Sequence, residues 1–177
     1  MEQIKASAKK FMINYGVLLG VATLIFNVIL YVTNNFLAPH WSLGILSFII
    51  SAIIIYVAIN GYKKENGGFL KLGEGLKIGM GASLIGGIIG AIWMVILTTV
   101  LEPNYSDLLL DLLRDRTIEA MPEITDEQLE QSLSFQKFFT KLSFMIPIGI
   151  IGSLFFGFII SLIEGLILRK ENPYENA

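Results

Sequence analysis

Four stretches of about twenty or more residues, nearly free of charge, occupy 11–32, 43–62, 76–101 and 142–168 of this sequence. A helix climbs about 1.5 Å per residue, so about 20 apolar residues cross the roughly 30 Å hydrocarbon layer of a bilayer. Within such a helix every backbone N–H and C=O is satisfied by its own segment, which lipid cannot do for it. The windows therefore predict four transmembrane helices, the third and fourth long enough to span with some tilt. Composition agrees, with 54% hydrophobic and 16% charged residues, against about half and a quarter in a soluble domain. The reading is all-α: a four-helix transmembrane bundle forming a single integral membrane domain over 1–177.

The first window follows Lys5, Lys9 and Lys10, as the apolar core of a signal peptide does. Its apolar run is longer than such a core and no small-x-small cleavage site follows, so a retained helix is expected. Orientation follows from the basic residues near span ends, which concentrate on the cytoplasmic side. Nine of the thirteen (Lys5, Lys9, Lys10, Lys63, Lys64, Lys71, Lys77, Arg169 and Lys170) lie at the two termini and in the 63–77 connection. The other four, Arg114, Arg116, Lys137 and Lys141, are diluted among nine acidic residues between Glu102 and Glu130. The sequence predicts a multi-pass protein of a bacterial inner membrane with both termini cytoplasmic. Tyr15, Tyr62, Trp41, Tyr105 and Phe138 fall near span ends, where aromatic rings favour the headgroup level.

The extracytoplasmic insertion between spans three and four, residues 102–141, is too charged for the bilayer and too patterned for a linker. Glu102 to Asp107 reads as a turn and a cap, after which Leu108, Leu109, Leu112 and Leu113 recur at helical spacing. After Met121-Pro122, Thr125 followed by Gln128 predicts a capping box opening a second helix through Leu129 and Leu133 that runs on into span four. A helical hairpin of this kind either caps the bundle with its leucine face, the favoured reading, or lies on the membrane or binds a partner.

Lipid tails are as apolar as leucine, so membrane helices associate through small residues that let backbones approach. Span three carries Gly75, Gly79, Ser83, Gly87 and Ala91, and span four Gly149, Ser153, Gly157, Ser161 and Gly165, each at four-residue intervals. The favoured expectation is that these ridges pack spans three and four together; the rival is that one of them is an interface with another copy or another protein. Pro147 removes an amide and is expected to kink span four.

Ionisable groups within a bilayer are candidates for function. Glu164 is the clearest, about one turn from the cytoplasmic end of span four; the simpler reading pairs it with a nearby Lys or Arg. Glu74, at the start of span three, opposes the helix dipole and can reach Lys71 or Lys77. Asn14, Asn27 and Asn60 are expected to bond between helices. Zero cysteines and one histidine, His40, leave no thiolate metal site, no disulfide and little scope for an imidazole site or triad. No zincin, nucleophile-elbow, phosphate-loop or dinucleotide motif is present, and Gly79-Met80-Gly81 lies inside an apolar helix where it cradles nothing. The expectation is no enzyme, no cofactor, no metal and no nucleic acid.

The cytoplasmic run Asn66-Gly67-Gly68-Phe69-Leu70-Lys71-Leu72-Gly73-Glu74-Gly75-Leu76-Lys77 and the later Glu102-Pro103-Asn104-Tyr105 resemble a Bacteroidota family of small membrane proteins of unknown function, DUF4199, over nearly the whole chain. The resemblance implies a membrane location and a helix count. Through the gene neighbourhood of such proteins it also implies an accessory membrane subunit with a polyprenyl-phosphate-type glycosyltransferase as partner, the 63–77 loop being the docking surface. The functional expectation is a non-enzymatic accessory or scaffold subunit, with a membrane-protein partner or as a homo-oligomer. The alternative is a small transporter or lipid-handling protein with Glu164 in its path.

Overall fold

The structure, a computed structural model, describes residues 6–171. Within them the chain forms α1 (Ala8–Val32), α2 (Trp41–Glu65), α3 (Leu72–Ile96), α4 (Tyr105–Ala120), α5 (Asp126–Phe139) and α6 (Leu142–Leu168). A π-helical turn, Leu97–Leu101, prolongs α3. With that turn counted into α3, four helices (α1, α2, α3 and α6) are long and apolar enough to cross a membrane.

These helices overrun their apolar windows. Lys9 and Lys10 lie in the first turn of α1, and Lys63, Lys64 and Glu65 in the last turn of α2. Continuing the helix keeps the backbone bonded, while long lysine stems carry their charges outward. Both described ends of the chain and the α2–α3 connection share one end of the bundle. There Lys10 pairs with Glu65 at 3.3 Å, and Leu70 and Lys170 exchange two backbone hydrogen bonds of 2.8 and 3.0 Å. The tight α2–α3 connection needs positive φ at Gly67 (69°) and Gly68 (86°), which glycine adopts without a Cβ clash.

α3 packs along α1 on one side and α6 on the other, and α2 lies across all three. The contact with α2 is tightest at the terminal end, where Phe11, Ile55, Ala58, Ile59, Tyr62, Leu70, Ile78 and Ile160 form the core. Tyr62 is thus buried rather than in an interfacial belt, its hydroxyl donating to Glu74 Oε1 at 2.8 Å. Glu74 Oε2 accepts the Lys71 backbone N–H at 2.9 Å, so this carboxylate serves the start of α3.

At the opposite end Thr98 and Thr99 turn their hydroxyls back onto the carbonyls of Met94 (2.8 Å) and Val95 (2.6 Å), a bonding pattern that bends helices. The Glu102 amide bonds five residues back to Leu97 at 2.7 Å, and Tyr31 donates to Glu102 Oε1 at 3.2 Å. The α4–α5 hairpin follows, with Thr125 and Gln128 closing a reciprocal capping box and Leu129 buried. Burial raises the Tyr105 phenol above its usual pKa at the start of this hairpin.

α5 does not run into α6 as the sequence predicts. Thr140 ends it, donating to the Lys137 carbonyl at 3.0 Å. Its single proton thus spent, it accepts from Ser106 at 2.6 Å, tying the end of α5 to the start of α4. Lys141 is extended (φ −70°, ψ 136°) and starts α6 in a new direction. α6 itself is unbroken through Pro147.

Candidate functional site

The two ridges of small residues face each other in antiparallel register. A Cβ added to Gly75 would stand 3.4 Å from the Gly165 Cα, one on Gly79 would collide with Ser161, one on Gly157 with Ser83, and one on Gly87 with Ser153. Each step of four residues up α3 meets a step of four down α6. Ser153 bonds across the contact to the Ser83 carbonyl at 3.2 Å, and Ser161 bonds within its own helix to Gly157 at 2.6 Å. On the other flank of α3, Ile85 and Ile89 fill the space a side chain would need at Gly16 and Gly20 of α1. The sequence reading passed over this second pairing, although Gly16 and Gly20 stand four apart in the first span.

The next rung of the α3–α6 register, Ala91 opposite Gly149, is not closed: a Cβ on Gly149 meets nothing within 4 Å, nor does one on Gly90 or on Gly44 of α2. All four residues line a cleft of about 790 Å³ between α1, α2, α3 and α6. Its floor is Ile55, Ile160 and Gly157, at the edge of the packed core. Its upper walls reach Trp41 and Met145 in the first turns of α2 and α6 and Met94 near the end of α3. Trp41, Ile45, Phe48 and Phe156 are lining residues with exposed surface, so the cleft opens on the outside of the bundle. Phe48 and Phe156 meet edge to face across α2 and α6, ring centres 6.1 Å apart.

No charged residue lines the cleft. Ser51 donates to the Ser47 carbonyl at 2.9 Å and Ser153 to those of Ile150 and Ser83. These protons are spent on backbone carbonyls; Thr23, Ser47 and Ser83 also line the cleft.

None of the intramembrane polar candidates belongs to the cleft. Asn14 is exposed on α1, Asn60 is half-buried on α2, and neither lines it. Asn27 donates to the Thr23 carbonyl of its own helix at 2.8 Å, where an interhelical bond was expected. Glu164 shares a face of α6 with Ile160, in the terminal-end core, and Leu168, packed against it. Among the described residues its buried Oε2 has no hydrogen-bond partner, where pairing with a nearby Lys or Arg was expected. The described residues hold no cluster of His, Cys, Asp or Glu suited to a metal.

The fold and the cleft define a small all-helical protein built for a membrane, with an apolar recess. Residues 14–170 match the model of a family described as a protein of unknown function, DUF4199, and the chain belongs to that family. No curated protein and no solved structure matches it.

Proposed function

We propose that this is a non-enzymatic protein of a bacterial inner membrane whose cleft receives an apolar component of that membrane. Both termini and the α2–α3 connection are cytoplasmic by their basic residues, and the acidic α4–α5 hairpin is extracytoplasmic. One observation carries the reading: a recess of about 790 Å³ without a charged wall, opening on helices long enough to span the bilayer. Ligand sites are typically apolar recesses of about 300–1,000 Å³. The ridges that first favoured a scaffold are taken up by α3–α6 contacts within the chain, and Glu164 lies outside the recess.

An accessory role keeps support from the exposed Lys64 and Lys77 around the cytoplasmic connection, a surface suited to an acidic partner.

Native mass spectrometry of protein released from its host membrane tests the proposal. The expected result is a retained mass in the wild type that disappears in Gly90→Leu/Gly149→Leu, which fills open space. A wild type without a retained mass, or a filled variant that keeps it, would overturn the reading.

A further inference from the structure

We infer that the occupant is a single hydrocarbon chain of an outer-leaflet lipid, lying in the cleft with its free end on the Ile55–Ile160 floor. The inference rests on the membrane reading above and names the ligand class. Length comes first. From Trp41 to Ile55 is fourteen residues of α2, and from Met145 to Ile160 fifteen of α6, so at about 1.5 Å per residue the lining runs along about 21 Å of helix, down to buried Ile55 and Ile160. One leaflet of hydrocarbon is about 15 Å thick. The recess thus begins near the headgroups and ends beyond the midplane.

Direction comes next. Trp41 and Met145 belong to the first turns of the two helices that descend from the extracytoplasmic side. The packed core closes the cytoplasmic end below Ile55 and Ile160, so a chain enters from the outer leaflet and cannot pass through.

A lipid chain is favoured over a helix from another protein because the bilayer around these spanning helices presents such chains at the opening. Chemistry agrees, since the wall has no charge and the hydroxyl protons of Ser51 and Ser153 are spent. Of the groups beside the mouth in sequence, His40 has its ring 5.5 Å from that of Trp41 and hydrogen-bonds to Ser42, and Lys141 holds its ammonium 5.6 Å over the Phe138 ring. Recognition therefore lies in the chain and not in the headgroup.

The experiment uses the full chain in nanodiscs of phosphatidylethanolamine and phosphatidylglycerol doped with a phospholipid carrying a diazirine either at the end of one acyl chain or beside its carbonyl. After irradiation the labelled residues are mapped by mass spectrometry. The chain-end probe should label Ile55, Gly157 and Ile160, and the carbonyl probe Trp41 and Met145, with either headgroup. Gly90→Leu/Gly149→Leu should reduce floor labelling at least tenfold while leaving lipid-facing Ile53 and Ile151 labelled. Chain-end labelling confined to Ile53 and Ile151 would overturn the inference. If the host-membrane measurement nevertheless finds a retained polypeptide in the cleft, the broader reading survives and only the lipid chain fails; if it finds nothing, both fail.

Discussion

Gly79 and Gly90 lie three turns apart on α3, and replacing each by alanine separates packing from propensity. At Gly79 the new Cβ overlaps the Ser161 side chain and stands 3.1 Å from Ile55 Cγ2. A Cβ is fixed to the backbone and cannot rotate away, so α3 and α6 must part locally. Overpacking of this kind costs about 1–3 kcal/mol. At Gly90 the same methyl meets nothing within 4 Å. Both substitutions exchange glycine for alanine within a helix, a gain of about 1 kcal/mol measured in water. That gain cancels in the comparison, so Gly79→Ala should be less stable than Gly90→Ala by about 1–3 kcal/mol. Unfolding in mixed micelles with rising dodecyl sulfate, followed by the fluorescence of Trp41 and Trp93, measures the difference. Equal midpoints would refute the tight Gly79–Ser161 contact and with it the register of the two ridges.

Two further outcomes are expected. Glu164→Leu removes a buried oxygen that has no partner among the described residues and should stabilise the protein by about 1–3 kcal/mol in the same unfolding assay; a loss of stability would mean that the carboxylate is held by a group it needs. In this cysteine-free chain, Lys64→Cys and Asp115→Cys report orientation. A membrane-impermeant thiol reagent applied to the outside of intact cells should label position 115 and spare position 64, and the reverse pattern would invert the topology.

The helices were legible because the signal is large. About twenty uncharged residues have few other fates, and Thr125 with Gln128 announces a helix start in four letters. The boundaries were not. Lys9, Lys10, Lys63 and Lys64 read as the edge of a span by charge, yet helices continue through them, because the backbone has no better partner at the interface than itself. The break at Thr140–Lys141 depends on a hydrogen bond to Ser106, thirty-four residues earlier, which no local pattern carries. The surroundings of Glu164 were not legible either: basic residues follow it closely in sequence, but helix periodicity places it on the Ile160 face of α6.

The cleft itself was half visible. Five small residues on each of two spans can be read from the sequence, but not the point at which two such stripes stop touching. The first four rungs close and the fifth, Ala91 opposite Gly149, stands open two residues past Pro147, with Ile146 and Ile150 beside it. Because the recess opens on the outside of the bundle, apolar matter of a surrounding membrane can enter it. The contact of α2 with the core is concentrated from Ile55 to Tyr62, and its earlier turns, held to α6 through Phe48 and Phe156, stand off the space that a chain would fill.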